Sequence, residues 1–467
     1  MSQDPLVQKI LLIIRELSKI YYEETFLVGG FIRDLLLGKE AKDLDFLLDP
    51  FNYDFLQKLS HIFKGKLVTL DDERKYYRIV IEKDKRTYNL DFTPIYQKNL
   101  FLELSRRDFT INSIALNLKD FQIIDPLNGI KDLSQNILKM SSPLSFKEDP
   151  LRILRAFRFI GAGFKIEEKT LENMKRERKR LKNVKPERIH EEIYKILRNP
   201  FTKDIWEKME ETSALEILFP ELIELQKIPW SNPHHEDAFQ HSLSTLSALE
   251  FLYFHLENLF PDLNDKIKLY LEEKIFSEYS KKEALKLMAL FHDIGKIKTF
   301  SIDEKGLVHY YRHSEQGAII IQDIGERLRF SNKEITFYQK LIQHHMYLIN
   351  FLQNLNNLSM YKLINRVQED TPGLVLLFTA DQLAIKGEKS ILDFAKKLLK
   401  EFFDIKNLPK PLLNGKEIMK IFNLKQSPLV GELKEKLIEA QVKNLIKTRE
   451  EAINYLKGIL KDETSSQ

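Results

Sequence analysis

The sequence LVGGFIRD at residues 27–34, followed by DLDF at residues 43–46, determines the fold class of the N-terminal part of the chain. Apolar residues that run into a Gly pair and then into helical spacing predict a strand, a tight turn and a helix. A second strand is predicted at 43–48, and residues i and i+2 of a strand share a face, so Asp43 and Asp45 present two carboxylates together. Further alternating segments predict a mixed sheet, and they lie at 66–70, 77–82 and 88–93.

The two carboxylates predict a site for a divalent cation. Adjacent carboxylates repel each other unless a cation lies between them, and Mg²⁺ prefers carboxylate and phosphate oxygens. The Gly pair allows a triphosphate to approach the backbone amides at the start of the following helix. Arg33, one turn into that helix, can pair with a phosphate oxygen. An Asp-x-Asp pattern alone is commonly a surface feature, but its combination with the Gly pair and Arg33 favours a nucleotide site.

A second candidate nucleotide-contacting segment is EDPLRILRAFRF at residues 148–159, for which a helix is predicted over 148–160. On a helix, Asp149, Arg152 and Arg155 fall at steps of three and Arg158 continues the polar stripe. A carboxylate beside a planar guanidinium can hydrogen-bond the edge of a base. The alternative is an ordinary helix face stabilised by salt bridges.

These motifs resemble those of the class II tRNA nucleotidyltransferase and bacterial poly(A) polymerase family over residues 25–200. The ordered set also contains RRDFTINS at 106–113, DPLNG at 125–129 and KPERIHEEI at 185–193. The segment at 106–113 suits phosphates and ribose hydroxyls, with an N-capped amphipathic helix as the alternative. The resemblance implies an α+β protein with an N-terminal mixed-sheet nucleotidyltransferase head, followed by an all-α neck, an HD domain and a helical tail.

The resemblance also implies a set of site residues and a reaction. Asp43 and Asp45 would hold catalytic Mg²⁺ for in-line attack of a hydroxyl on an α-phosphate. Asp91 would be the third catalytic carboxylate, or alternatively only an acid at a strand end. The nucleotide-binding residues implied by the family motifs are Gly30, Arg33, Arg107, Asp149, Arg152, Arg155 and Arg158.

A basic run in the neck predicts an RNA-binding surface. Residues 174–188 carry a net charge of +6, which exceeds the +4 of the whole chain. A charge run is commonly a solvated helix face, but this one adjoins the predicted nucleotide site, where a polyanionic primer must lie. The segment from 405 onward resembles the RNA-binding C-terminal part of these enzymes, with tRNA held by shape and phosphates. The candidate residues of the neck are Lys175, Arg176, Arg178, Lys179, Arg180 and Lys182.

Histidine and aspartate residues in the middle of the chain form a second ordered set. Their order, His, His-Asp, His, His and Asp, resembles the HD phosphohydrolase family. Imidazole and carboxylate ligands suit Mn, Fe, Co, Ni or Zn, with Mg²⁺ at an oxygen-rich subsite. The sequence leaves open whether His344 or His345 serves, and whether the site is metal-competent or a structural relic. The ligands implied by the resemblance are His241, His292, Asp293 and Asp381 for a first metal, with His313 and His345 near a second.

Length and composition favour a multidomain cytoplasmic protein. The chain has 467 residues with 43% hydrophobic residues and no cysteine, which excludes disulfides, thiolate metal sites and a Cys nucleophile. The first residues lack the features of a signal peptide, and no apolar run approaches the ~18 residues of a membrane span. Loops at 229–233 and 408–411 indicate boundaries. The predicted domains are the head at 1–140, the neck at 141–228, the HD domain at 229–404 and the tail at 405–467.

The leading interpretation is a template-independent enzyme that uses CTP and ATP to build or repair the 3′-CCA end of tRNA. The motifs leave open whether C, A or all three residues are added, and the oligomeric state is also open. Poly(A) polymerase is an alternative, but residues 51–70 lack its Arg-rich signature, and residues 70–78 resemble the tRNA-directed branch. An alternative of a different class is a metal phosphohydrolase whose head only binds RNA.

Overall fold

The chain divides into two compact units. The computed structural model describes residues 4–40, 43–84, 86–228, 236–352, 357–387, 390–404, 411–442 and 445–464. The first unit contains Met1–Asn199 and Asp204–Leu218, and the second contains Pro200–Lys203 and Phe219–Gln467. Pro200–Lys203 is therefore a short excursion of the chain into the second unit.

The predicted domain boundaries are not resolved by this division. The loop at 229–233, residues 408–410 and the boundary position 405 lie outside the described residues. The four-domain division therefore stays a prediction. The fold class is confirmed, because a mixed sheet occupies the N-terminal part and helices dominate the rest of the described chain.

The seven-stranded sheet of the first unit begins with β1 (Glu24–Val28) and β2 (Asp43–Asp49). Its other strands are β3 (Lys66–Asp71), β4 (Tyr76–Lys83), β5 (Arg86–Pro94), β6 (Ala115–Asn117) and β7 (Ile123–Ile124). The spatial order is β3-β4-β5-β2-β1-β6-β7. β2 and β5 are parallel, and every other neighbouring pair is antiparallel.

Strand alternation assigns side chains to the two faces of this sheet. Leu44, Phe46 and Leu48 of β2 belong to one apolar cluster together with Leu27 of β1. Leu47 belongs to the cluster on the opposite face. Because Asp43 and Asp45 have the same parity as Leu47, both carboxylates project from that second face, as the strand period predicts.

The helix at the start of the chain covers the first face of the sheet. Asp4 caps it, since its Oδ1 accepts a hydrogen bond from the backbone N–H of Leu6 at 2.8 Å, and Pro5 occupies the first helical position. Its buried stripe includes Val7, Ile10 and Ile14, which join the same apolar cluster as β2.

The described helices up to residue 218 follow in chain order. The 3₁₀ helices among them are Tyr96–Lys98, Thr110–Asn112 and Arg178–Asn183, and two short strands, β8 (Ile137–Leu138) and β9 (Lys165–Ile166), form a parallel pair. The α-helices are α1 (Pro5–Tyr21), α2 (Gly30–Leu36), α3 (Tyr53–Phe63), α4 (Leu100–Ser105), α5 (Gly129–Ser134), α6 (Ser145–Glu148), α7 (Arg152–Gly161), α8 (Glu168–Glu177), α9 (Pro186–Leu197), α10 (Lys203–Glu211) and α11 (Ala214–Leu218).

The second unit is mainly helical and contains two short hairpins. The hairpins are β10 (Lys274–Phe276) with β11 (Tyr279–Ser280) and β12 (Phe300–Ile302) with β13 (Val308–Tyr310). Its 3₁₀ helices are His345–Phe351 and Gln368–Asp370. Its α-helices are α12 (Pro220–Leu225), α13 (Ala238–Phe254), α14 (Leu256–Leu259), α15 (Asn264–Glu272), α16 (Lys281–Phe291), α17 (Lys296–Thr299), α18 (His313–Arg327), α19 (Asn332–His344), α20 (Asn357–Val367), α21 (Thr371–Lys386), α22 (Ser390–Asp404), α23 (Gly415–Phe422), α24 (Pro428–Val442) and α25 (Arg449–Thr464).

The predicted helix over 148–160 begins later than expected. α7 starts at Arg152, and Asp149 is extended, with φ −139° and ψ 98°. The residue before a proline is disfavoured in the helical region, and Pro150 follows Asp149. The prediction that Asp149 lies on the same helical stripe as Arg152 and Arg155 was therefore wrong. Among the described helices, none combines the length and the apolar character that crossing a membrane requires.

Candidate active site and metal cluster

The carboxylates of the first candidate site lie at one end of two neighbouring parallel strands. Asp45 of β2 is opposite Asp91 of β5 and also opposite Val28 of β1. Asp43 is exposed, and its Oδ1 accepts a hydrogen bond from Asn89 Nδ2 at 3.0 Å. The sheet register thus brings Asp43, Asp45 and Asp91 to the same edge.

Gly29, which follows β1, has no side chain and so allows the Arg107 guanidinium and the Asp45 carboxylate to lie close to its backbone. A Cβ atom at Gly29 would lie 2.6 Å from Arg107 Nη1 and 2.8 Å from Asp45 Oδ2, and its φ of +81° also favours glycine. Burial raises the pKa of Asp45, and the charges of Asp91 and Asp43 add to that effect while Arg107 opposes it. The carboxylates of Asp43 and Asp45, faced by the Arg107 guanidinium, offer oxygen donors that fit a hard divalent cation.

Asp91 is held by neighbouring strand residues. Arg78 donates to both of its carboxylate oxygens, from Nε at 2.7 Å and from Nη2 at 2.8 Å. Tyr76 Oη donates a further hydrogen bond to Oδ2 at 2.7 Å. These contacts fix the carboxylate beside Asp45, and the role of Asp91 as a third catalytic carboxylate stays a prediction.

Arg33 of α2 is connected to α7 through two buried polar side chains. Its Nη1 donates to Asn112 Oδ1 at 2.7 Å, and its Nε and Nη2 donate to Asp34 at 2.8 and 2.9 Å. Asn112 Nδ2 donates to Asp108 Oδ1 at 2.8 Å. Arg155 Nε donates to Asp108 Oδ2, also at 2.8 Å. A continuous chain of hydrogen bonds therefore joins the predicted phosphate helix to the predicted base-reading helix.

The carboxylate of Asp108 is buried inside this chain. Burial alone would raise its pKa, but Arg155 and the hydrogen bonds from Asn112 and the Phe109 amide hold the pKa below its usual value. The carboxylate and the amide of the segment at 106–113 therefore face other side chains of the protein. The alternative of an N-capped amphipathic helix is also not observed there, because the segment forms only the 3₁₀ turn Thr110–Asn112.

The remaining predicted base-reading and phosphate-binding residues are held by protein partners. Arg152 donates to the carbonyl oxygens of Arg106 at 2.6 Å and of Ser145 at 3.2 Å. Asp149 pairs with Arg188 of α9, at 2.9 Å between Oδ2 and Nη2. Arg158 forms an ion pair with the buried Glu192, at 3.2 Å.

The sequence placed Gly29, Asn112 and Arg188 inside its motifs, but it did not predict the side chains that they contact. Gly29 is the first member of the Gly pair, whose positive φ the sequence could have suggested. Asn112 lies in the segment at 106–113, and Arg188 lies in the segment at 185–193. Both positions belong to motifs that were recognised, but their partners depend on tertiary contacts that spacing does not encode.

The basic run of the neck is partly neutralised within the protein. Arg176 and Arg180 both pair with Glu177, at 3.1 and 2.6 Å. Lys175 pairs with Glu211 at 3.2 Å, and Arg178 Nη1 donates to the Lys175 carbonyl oxygen. Lys179 and Lys182 are exposed, and neither has an ion-pair partner among the described residues.

The second candidate site is a buried cluster of histidines and aspartates in the second unit. Its members come from α13 and α21, from the residues that directly follow α16 and α19, and from the first residue of α18. They form two groups, and within each group the potential ligand atoms lie within 4.8 Å of one another. The first group is His241, His292 and Asp381, and the second is Asp293, His313 and His345.

Asp293 is a member of the second group and also lies close to His292 of the first group. Its Oδ2 is 3.4 Å from His292 Nε2, and its Oδ1 is 3.4 Å from His313 Nε2 and 3.6 Å from His345 Nε2. Burial opposes ionisation, but Lys296 and His292 hold the pKa of Asp293 well below its usual value. His345, and not His344, belongs to the cluster.

Three of the histidines are oriented by their own backbone. The Nδ1 atoms of His292, His313 and His345 lie 2.9, 2.9 and 2.6 Å from the carbonyl oxygens three residues upstream. Donation from Nδ1 to a carbonyl leaves the Nε2 lone pair available for a metal. His292 Nε2 is buried and has no hydrogen-bond partner in the described part of the chain. This donor set fits a first-row transition metal.

Comparison with family models divides the chain into three matched segments. Residues 25–139 match the Poly A polymerase head domain. Residues 163–225 match the probable RNA and SrmB-binding site of polymerase A. Residues 239–385 match the HD domain.

Two similar curated proteins extend along nearly the whole chain. A CC-adding tRNA nucleotidyltransferase of Thermus thermophilus is 31% identical over 448 residues, which cover 93% of each chain. An A-adding tRNA nucleotidyltransferase of Deinococcus radiodurans is 29% identical over 440 residues, which cover 91% of this chain and 93% of the other.

The fold is also similar to that of solved structures. A Thermotoga maritima CCA-adding enzyme complexed with tRNA has a TM-score of 0.63 at 21% identity, over 98% of this chain and 97% of the other. A CCA-adding enzyme in complex with ATP has a TM-score of 0.66 at 22% identity, over 98% of this chain and 96% of the other. Both matches extend over nearly the whole chain and show a similar fold.

Proposed function

The chain belongs to the tRNA nucleotidyltransferase family, and we propose that it adds cytidine and/or adenosine to the 3′ end of tRNA. The observation that carries the proposal is the edge of the sheet where Asp43, Asp45 and Arg107 meet beside Gly29. The Thermus and Deinococcus relatives named for CC and A addition support the same reaction class. CTP and ATP are the proposed nucleotides, and tRNA is the proposed acceptor.

Asp43 and Asp45 are the proposed holders of Mg²⁺, with Asp91 fixed beside them. When bound, the cation supplies charge neutralisation and lowers the pKa of the attacking 3′-hydroxyl. Arg107, whose guanidinium already lies beside Asp45, contacts the triphosphate from the same edge. Backbone amides after Gly29 and the Arg33 guanidinium contact the remaining phosphate oxygens, so the protein contributes positioning and electrostatic stabilisation.

Asp149 and Arg152 are the proposed readers of the incoming base. A carboxylate accepts from the amino groups of cytosine and adenine, whereas uracil and guanine present a carbonyl oxygen at that position. Arg152 lies at the start of α7, and its guanidinium is held by main-chain carbonyls, which reduces its freedom before a base arrives. Arg155 and Arg158 are proposed to help hold the nucleotide from the same helix.

The neck is the proposed RNA-binding surface, with Lys179 and Lys182 as its exposed cations. Lys175, Arg176, Arg178 and Arg180 contribute to the same potential, but each already contacts a protein acceptor. The match of residues 163–225 to an RNA-binding model supports this assignment. An enzyme that acts on tRNA works in the cytoplasm, which is the proposed location.

The histidine–aspartate cluster is proposed to be a metal-dependent phosphohydrolase site that is separate from nucleotide addition. His241, His292, Asp293 and Asp381 would hold one metal, and His313 and His345 would lie near a second. The imidazole Nε2 atoms, left available because Nδ1 faces a backbone carbonyl, suit Mn, Co or Ni, and Mg²⁺ is compatible with the carboxylate side. A bound metal would supply an activated water for attack on a phosphoester.

Nucleotide addition by Asp43→Ala and Asp45→Ala variants tests the proposed function. The wild type is expected to add C, A or both to a tRNA that ends at the discriminator base, and each variant is expected to lose addition. tRNA affinity is expected to stay within a few-fold, because the neck and the tail hold the RNA. Robust addition by the double variant would contradict the metal assignment.

A comparison of the four triphosphates on one tRNA tests the base-reading assignment. Asp149→Ala or Arg152→Ala is expected to reduce selectivity for C and A over U and G by roughly 5- to 150-fold, the equivalent of 1–3 kcal/mol for a lost bidentate contact. Misincorporation is expected to appear, since Asp43 and Asp45 remain intact. Unchanged selectivity in both variants would mean that this segment is only a scaffold.

A further inference from the structure

Arg188 contacts the carboxylate that is proposed to read the base. Its Nη2 donates to Asp149 Oδ2 at 2.9 Å, and its Nη1 reaches Oδ1 at 3.4 Å. The other contact of this carboxylate is the Leu151 amide, which donates to Oδ1 at 3.2 Å. One guanidinium therefore spans both oxygens of Asp149 and leaves further lone pairs on each of them.

The contact with Arg188 and the hydrogen bond from the Leu151 amide together orient the Asp149 carboxylate. It lies in an extended residue between α6 and α7, so no helix fixes its side chain. Arg188 is the third residue of α9, and α9 is held against α7 by the ion pair between Arg158 and Glu192 at 3.2 Å. Arg188 thus presents a planar pair of donors from a helix whose position relative to α7 is fixed.

We propose that Arg188 is a specificity-determining residue, which positions the Asp149 carboxylate as a fixed hydrogen-bond acceptor for the amino group of the incoming base. The proposal rests on the proposed function of the nucleotide site. A carboxylate held in this way accepts from cytosine N4 or adenine N6 and repels the carbonyl oxygen of uracil or guanine. Without Arg188 the side chain can rotate, and the distinction between the two kinds of base is weakened.

The exposure of the pair allows this role and makes it testable. The Asp149 and Arg188 side chains are 30% and 50% exposed, so a base can reach the carboxylate without unfolding the neck. A half-exposed ion pair contributes little to global stability. Arg188→Ala is therefore expected to fold, and thermal unfolding of the variant verifies this.

The experiment measures kcat/KM for CTP, ATP, UTP and GTP with the full-length protein and one tRNA. Arg188→Ala is expected to reduce the preference for C and A over U and G about tenfold, in the range that one bidentate contact contributes to base discrimination. Arg188→Lys, which retains the charge and loses the fork, is expected to recover only part of the preference. Lys169→Ala, which removes an exposed positive charge of α8 outside the basic run at 174–188, serves as the matched control and should leave the preference unchanged.

The double variant Asp149→Ala with Arg188→Ala separates positioning from an independent effect. If Arg188 acts through Asp149, the double variant has the preference of Asp149→Ala alone, because the two losses are not additive. Additive losses, an equal decrease for all four triphosphates, or a preference that Arg188→Ala leaves intact would each overturn the proposal. A wild type that adds no nucleotide would instead overturn the proposed function, and the proposal with it.

Discussion

At the scale of single residues, two arginines near the first candidate site are oriented by protein acceptors before any ligand arrives. Arg33 contacts Asp34 and Asn112, and Arg78 contacts Asp91. Long, flexible side chains lose rotamer entropy when they are held. When that entropy is lost during folding, a triphosphate or a base does not have to order the same side chains at the moment of binding.

Glu23, immediately before β1, is a buried acid that no part of the proposed mechanism uses. It is 7% exposed, and neither carboxylate oxygen has a hydrogen-bond partner among the described residues. Burial raises the pKa of Glu23 to about 8. Since the folded state keeps a proton that the unfolded chain releases near pH 4.5, the free energy of unfolding is expected to fall as pH rises from about 4.5 to about 8.

Glu23→Gln tests this pH dependence by chemical denaturation between pH 5 and pH 9. The variant lacks the titration and is expected to be more stable than the wild type at the upper end, by on the order of 4 kcal/mol at 1.36 kcal/mol per pKa unit. Glu24→Gln, the exposed neighbour on β1, is the matched control and should follow the wild type. Parallel pH curves for Glu23→Gln and the wild type would contradict the buried-acid interpretation.

At the scale of helices and strands, the sequence predicted the elements around the first site more accurately than their contacts. The strand predicted over 43–48 is observed as Asp43–Asp49, and the helix predicted after the Gly pair is observed as Gly30–Leu36. Apolar alternation and the Gly pair carry that information locally. The predicted start of α7 was wrong because Pro150 disfavours a helical conformation at Asp149, and this effect can be read from the local sequence. The partners of Arg152 and Arg188 lie far along the chain, and no spacing rule identifies them.

The hydrogen-bond chain between α2 and α7 predicts that Asn112 is a positioning residue. Asn112→Asp keeps an acceptor for Arg33 but loses the donor to Asp108 and places a second carboxylate beside it. A lost hydrogen bond to a charged group corresponds to about 1.5–3 kcal/mol, or a roughly 10- to 150-fold decrease in kcat/KM. Because the side-chain amide of Asn112 is engaged by Arg33 and Asp108, CTP and ATP addition should decrease in parallel. Asn117→Asp on β6 is the control, and a base-dependent decrease for Asn112→Asp would count against this role.

Gly295 permits the close approach of the segments that carry Asp293 and His313. A Cβ atom at Gly295 would lie 1.8 Å from the His313 carbonyl oxygen and 2.5 Å from the Gly317 amide nitrogen. Gly295→Ala is expected to separate α17 from α18 and to weaken Mn²⁺ or Ni²⁺ binding, measured by calorimetry, with a loss of stability of about 1–3 kcal/mol. Gly431→Ala, where a Cβ would meet no atom within 4 Å, is the control. Unaltered metal affinity in Gly295→Ala would show that the cluster tolerates the displacement.

At the scale of the whole molecule, the two candidate sites belong to different compact units. The carboxylate edge lies in the first unit, and the histidine–aspartate cluster lies in the second. The ordered His and Asp motif identified the cluster from sequence, and the geometry resolved the choice between His344 and His345. Composition and net charge could identify neither site.

Because the two candidate sites lie in different units, we expect that the proposed nucleotide addition and the proposed metal-dependent hydrolysis can be removed independently. His292→Ala combined with Asp293→Ala is expected to abolish metal-dependent hydrolysis of phosphomonoesters and cyclic phosphodiesters while nucleotide addition remains near the wild-type rate. The measurement pairs a phosphatase assay in Mn²⁺, Ni²⁺, Co²⁺ or Mg²⁺ with the tRNA assay. If the wild type binds none of these metals and hydrolyses neither substrate, the cluster is a structural relic.

Pro200–Lys203 belongs to the second unit although it precedes the last segment of the first, and this affects how the units can be expressed separately. The buried Glu250 accepts hydrogen bonds from the backbone N–H and the hydroxyl of Thr202, at 3.0 and 2.6 Å, and Lys286 Nζ donates to the Pro200 carbonyl oxygen at 3.1 Å. A fragment that starts at Phe219 deletes both partners and leaves Glu250 and Lys286 to each other in the interior. Each unit consists of two separate segments of the chain, so no single cut in the polypeptide yields both units complete. Expressing either unit alone therefore requires joining its two segments.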